Sequence, residues 1–153
     1  MNLTGNIVTA LADNSTLATW CSTNYAREHT VQLGIDLDRL PDQGSYPIIM
    51  VAQVTAREGR ALDMESAEYV VTCGIVDDSD QVTSGRTLIF DQVDDLEDFR
   101  RLALTAIESA DLAGGFIAEV EVENDPVELF PIFSTNMIIK IHCPTSMRGR
   151  WVK

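Results

Sequence analysis

The run Tyr46-Pro47-Ile48-Ile49-Met50-Val51-Ala52 holds seven consecutive residues without a charge. A strand with one wet face alternates apolar and polar residues; this one does not, so both of its faces are expected to be covered. One expected cover is a helix of the chain itself, and another subunit is a candidate for the other. Around this strand the sequence supplies an amphipathic helix and a closing β-hairpin but no residue set suited to catalysis. That pattern points toward assembly.

Outward from the run, the periodicities outline a single α+β domain over residues 1–153: a mostly antiparallel sheet with an N-terminal helix and one long amphipathic helix packed on it. Ile7, Val8, Leu11, Leu17 and Trp20 have helical spacing, interrupted at Asp13, Asn14 and Ser15, so one broken helix or two short ones are expected. Val31, Leu33 and Ile35 alternate with Thr30, Gln32 and Gly34, the period of a half-wet strand over 29–35. Pro41, Asp42 and Gly44 mark 36–45 as a loop. The apolar strand then runs over about 46–56 and a third strand over about 68–76. Between them, residues 57–67 are polar and short of β-branched residues and read as a mobile arm. Residues 77–86 are dense in Asp, Ser, Thr and Gly and read as loop, with a short strand at 87–90.

The clearest helix spans about 94–112. Asp91, Asp94, Asp95, Glu97 and Asp98 crowd its N-terminal end, where the macrodipole favours negative charge. Leu96, Phe99, Leu102, Ala103, Ala106 and Ile107 share one face, and Gly114 and Gly115 lie just beyond its end. In the final hairpin, Phe116, Ala118, Val120 and Val122 alternate with Ile117, Glu119, Glu121 and Glu123; Asn124, Asp125 and Pro126 turn the chain. The return strand, about 132–142, places Lys140 across from one of the glutamates. A basic tail follows over about 144–153, with Arg148, Arg150 and Lys153 and no acid.

The chain carries 24 acids against 11 bases, a net charge of −13. Phosphate backbones demand clustered Lys and Arg, so direct nucleic-acid binding is disfavoured, whereas an acidic wall suits DNA that passes without sticking. Three cysteines, Cys21, Cys73 and Cys143, form no CxxC and cannot all pair. They read as buried hydrophobes in a reducing compartment. Residues 1–11 lack the basic start of a signal peptide, and no stretch approaches the length of a membrane span.

Candidate chemistry is sparse. His142 and Cys143, with Cys73 or His29, have zinc-ligand chemistry, but neighbours on a strand point to opposite faces. Asp77, Asp78 and Asp80 suggest a calcium loop, yet the sixth position of an EF-hand starting at Asp78 is Thr83 where Gly is needed. Glu119, Glu121 and Glu123 share a strand face that reads as solvated. No nucleophile elbow or glycine-rich phosphate loop is present, so no enzyme activity, cofactor or metal is expected.

Taken together, the opening helix, the unit from Tyr46-Pro47-Ile48-Ile49-Met50-Val51 to Tyr69-Val70-Val71-Thr72-Cys73-Gly74-Ile75-Val76, the helix Leu96-Glu97-Asp98-Phe99-Arg100-Arg101-Leu102-Ala103, and Leu129-Phe130-Pro131-Ile132-Phe133 leading into Met137-Ile138-Ile139-Lys140-Ile141 resemble the tail-terminator (tail completion) proteins of long-tailed bacteriophages. The likeness is one of element order over nearly the whole chain. It implies a structural virion protein: a hexameric ring that ends polymerisation at the head-proximal end of the tail tube and joins it to the head connector. The implied partners are further copies of the chain, the tail tube protein and the head-tail connector protein, with DNA passing through the lumen. The implied locations are the virion's tail or neck and, during assembly, the host cytoplasm. Candidate interface residues are Ile48 and Met50 on the apolar strand, Arg57 and Arg60 on the arm, and Arg148, Arg150 and Trp151 in the tail. Two other readings are a different phage neck or minor tail adaptor, and a small metal-dependent enzyme using Glu119, Glu121 and Glu123.

Overall fold

A computed structural model describes residues 3–35, 39, 41–59, 64–78, 82–89, 91–124 and 131–144. It is an α+β fold built on a five-stranded sheet of order β1-β2-β3-β7-β6, with β1 at Thr30–Leu33, β2 at Ile48–Arg57, β3 at Met64–Val76, β6 at Phe116–Glu123 and β7 at Ile132–Pro144. Among the described strands, only the β1/β2 pair is parallel. A small hairpin, β4 at Val82–Ser84 and β5 at Thr87–Ile89, stands apart. It occupies part of the stretch expected to be loop: Gly85 takes a positive φ of 62°, and with Arg86 it makes the two-residue turn.

The N-terminal segment forms two helices, α1 at Leu3–Ala12 and α2 at Ser15–Tyr25. Asn14 separates them by capping: its side chain accepts a hydrogen bond from the Leu17 backbone N–H at 2.9 Å, satisfying one of the orphan donors of the new helix. Helix α3 spans Asp91–Glu108, starting and ending earlier than its residue pattern suggested. Beyond it Ala113 and Gly114 both adopt positive φ, and the Gly115 N–H bonds the Leu112 carbonyl. Gly115 is required by close approach, since a Cβ there would collide with the His142 carbonyl oxygen.

All three helices cover one face of the sheet. Ile7 and Leu11 of α1, Leu17 and Cys21 of α2, and Leu96, Phe99, Ala103, Ala106 and Ile107 of α3 meet Ile49, Val51, Tyr69, Val71, Cys73, Ile75, Met137, Ile139 and Ile141 from the strands. Trp20 lies parallel to the Phe99 ring, centroids 5.5 Å apart, and joins α2 to α3. Asp94, Glu97, Asp98 and Arg101 remain in water on the far side of α3, where Arg101 reaches Glu97 one turn back at 2.6 Å.

The opposite face carries a smaller cluster. Tyr46, Ile48 and Met50 pack with Ile35, Val76 and Ile132, and no helix residue belongs to it. Tyr46 lies over Gly74, where a side-chain carbon would come within 2.7 Å of its ring. The apolar run is thus covered on its second face by the chain's own residues at its start. Past Val51 the strand emerges: Ala52 is partly buried and every residue from Gln53 to Arg57 is exposed.

Candidate functional site

Strand β2 runs beyond its neighbour. Its first four residues pair with β1 on one side and β3 on the other, Thr30 facing Ile48 and Leu33 facing Val51. Residues 52–57 pair with β3 alone among the described residues. At the other margin of the sheet, β6 pairs with β7 alone among the described residues. Both margins therefore present unpaired backbone donors and acceptors, the groups through which one sheet recognises another strand.

Each margin is modified by one extra residue. In β2, Gln53 faces Tyr69 while Thr55 faces Glu68, so Val54 bulges out, 54% exposed. In β6, Ile117 faces Ile141 while Glu119 faces Lys140, so Ala118 is the extra residue. That bulge corrects the alternation expected for this strand. Ile117 turns to the helix side and packs against the core, while Phe116 turns away, 53% exposed and edge-on to His142 at 5.8 Å. Lys140 does lie across from a glutamate, Glu119, and has Glu68 on its other side.

His142 and Cys143 point to opposite faces, His142 toward Phe116 and Cys143 with its thiol on the Leu112 carbonyl at 3.4 Å. His29 sits elsewhere, its Nε2 2.7 Å from the Leu11 carbonyl at the end of α1. Among the described residues no three His, Cys, Asp or Glu side chains are grouped to hold a metal ion. Burial pushes the thiols of Cys21 and Cys73 up to about 12 and raises that of Cys143 as well, so they are held as neutral thiols. The proposed calcium-loop residue Asp80 lies outside the described residues.

Charge is crowded at the start of α3. The Tyr25 hydroxyl donates to Asp95 at 3.2 Å. Desolvation raises Asp95, the Tyr25 bond opposes this, and the neighbouring Asp77, Asp98 and Asp91 raise it further. Desolvation and the Asp95 charge likewise raise the Tyr25 hydroxyl. The pair ties α2 to α3 through a neutral donor and an acid. An open groove between the same helices is lined by Ser15, Thr16, Thr19, Trp20, Thr23 and Asn24 with Leu102, a lining without His, Cys or carboxylate.

Of the interface residues drawn from the sequence, Ile48 and Met50 are 1% and 7% exposed inside the second cluster, leaving little surface for a neighbour. Arg57 is exposed at the end of β2, opposite Ser66. Arg60, Arg148, Arg150 and Trp151 lie outside the described residues, as does the middle of the 57–67 arm. The flanks of that arm are strand: β2 continues to Arg57 and β3 begins at Met64, with Ser66 and Ala67 paired on both sides. The bulges at Val54 and Ala118, which set the character of both margins, escaped the sequence reading; a bulge adds a residue without any distinctive side chain. Neither known protein-family models nor curated proteins give a match to the chain.

Proposed function

We propose that this chain is a structural protein of a long-tailed bacteriophage, one copy of a ring that ends polymerisation at the head-proximal end of the tail tube and joins it to the head connector. It works without a cofactor and as part of the virion. The observation that carries this reading is the one-sided layering of the fold. Among the described residues, three α-helices cover one face of the sheet, the apolar cluster on the other face includes no helix residue, and neither margin carries a further strand. A sheet built this way has the means to be extended by copies of itself.

The charge fits the same role. Six copies at −13 give a total near −78, a surface that repels a DNA duplex moving past it. Self-repulsion on that scale is screened over a Debye length of about 10 Å at 0.1 M salt, so added salt favours association. Analytical ultracentrifugation across a salt series, with and without purified tail tubes, tests the proposal. The expected result is a closed multimer, alone or on tube ends; a monomer that joins no tube end at any salt concentration would overturn it.

A further inference from the structure

We infer that neighbouring copies in this ring are joined strand to strand, the free half of β2 in one copy pairing antiparallel with β6 of the next. The inference rests on the ring reading above and names the contact that would build it.

Three observations on the sheet converge. The first is direction. From β2 to β3, from β3 to β7 and from β7 to β6 each step is antiparallel, so β6 runs opposite to β2. With the strands running along the ring axis, rotation of a second copy about that axis preserves those directions, and the new pair is antiparallel as well.

The second is level. Ala52 faces Val70, Val70 faces Ile138, and Ile138 faces Glu121; at the other end Arg57 faces Ser66, Ser66 faces His142, and His142 faces Phe116. Residues 52–57 of one margin thus stand level with residues 121–116 of the other. Each stretch includes one bulged residue, Val54 in the first and Ala118 in the second, so the count is equal on both sides. A head-to-tail contact can therefore form with little offset along the strands, the condition for joining many copies through one repeated interface.

The third is charge. Arg57 is the one charged residue of β2, while β6 carries Glu119, Glu121 and Glu123. At matched levels Arg57 meets the exposed Phe116 ring and lies diagonal to Glu119, giving a cation over an aromatic face and an opposite-charge neighbour. Pairing of β6 with a second β6 would instead bring glutamates together. Bulges and glutamates guard an edge against indiscriminate pairing, and here they leave the equally bulged margin, with Arg57 and no glutamate within the strand, as the matching partner.

Cysteine cross-linking of the full chain, in a Cys143→Ser background, tests this. Facing side chains in an antiparallel pair have Cβ atoms about 5 Å apart, close to the reach of a disulfide. The double variant Ala52→Cys with Glu121→Cys is expected to give, on mild oxidation, a ladder of covalent multimers that ends at the copy number of the native assembly and collapses on reduction. A 1:1 mixture of the two single variants is expected to stop at the dimer. Thr55→Cys with Glu119→Cys provides a second pair at a matched level should the first perturb folding, which unchanged circular dichroism excludes. Native mass is measured on the same samples. A ring by mass with no cross-link from either pair overturns the strand pairing and leaves the ring standing. Dimers from Glu121→Cys alone overturn it in favour of β6 pairing with itself. Absence of any multimer, free or on tube ends, overturns the ring and this contact together.

Discussion

Strand β2 is two strands in one. Residues 48–51 are buried between β1 and β3, under helices on one face and Tyr46 on the other, whereas residues 53–57 have β3 on one side and are exposed throughout. Two consecutive stretches of one element thus do different work. The first anchors the fold through apolar burial, and the second leaves its outward hydrogen-bonding groups unpaired by any described strand. The boundary falls where β1 ends at Leu33, because a strand that loses its lateral neighbour keeps its direction but loses its cover.

The deepest cut at the first kind of region is Phe99→Ala. The ring is fully buried and stacked on Trp20, so its removal leaves a cavity where α2, α3 and the sheet meet. The expected loss is about 3–5 kcal/mol, a fall in Tm of roughly 10 °C for a domain of this size, read by thermal melting. An unchanged Tm would show that α3 does not present this face to the core.

A sharper comparison uses one substitution at two places in β2. Val51→Ala removes methyl groups from a site with 0% exposure and is expected to cost about 2 kcal/mol. Val54→Ala acts on the bulged residue, 54% exposed, and is expected to stay within about 0.5 kcal/mol. Urea titration of both variants measures the difference. Equal losses would erase the distinction between the two halves.

The strong half of this comparison was legible in the sequence, because burial writes itself as an apolar run and helix faces as a 3.6-residue period. Leu96, Phe99, Ala103 and Ile107 lie where that period places them. The weak half was not. Reading 46–52 as doubly covered was sound, but its second cover is Tyr46 lying on Gly74, a contact between residues far apart in the chain that no local pattern encodes. Ala118 inverted the faces of Phe116 and Ile117 for a similar reason: a bulge is fixed by pairing with β7 and leaves the local composition unchanged. The candidate site suffers most from this, since it consists of margins and registers rather than reactive side chains.

The buried thiols give a pH-dependent signature of the anchoring region. Cys73 faces Ile49 across β2 and β3, and burial lifts its pKa from 9.0 to about 12. A group that holds its proton more tightly when folded contributes stability that is complete below its unfolded value and lost as pH rises through the window up to the folded one. Stability is therefore expected to be level to about pH 8 and to fall between pH 9 and 12, by on the order of 1 kcal/mol at pH 10 from Cys73. Cys73→Ala is expected to flatten that slope while lowering stability at every pH, as followed by denaturant midpoints. A slope identical in the variant would assign the loss to other groups.

Amide hydrogen exchange separates the two halves of β2 most finely. Amides over 48–51 are enclosed by strands on both sides and by clusters on both faces, so they open only with a large part of the domain. Over 52–57, amides directed toward β3 are held, whereas those directed away face a margin where no described strand pairs, and these are expected to exchange fastest in the free chain. In the assembled ring the outward amides of 52–57 and of β6 are expected to slow together, with 48–51 unchanged. That joint response distinguishes a strand-to-strand contact from contact through another surface, because side-chain packing alone does not occupy the outward N–H groups of both margins at once. Protection gained at one margin without the other would break the symmetry required of a head-to-tail ring, in which every copy donates one edge and receives the other.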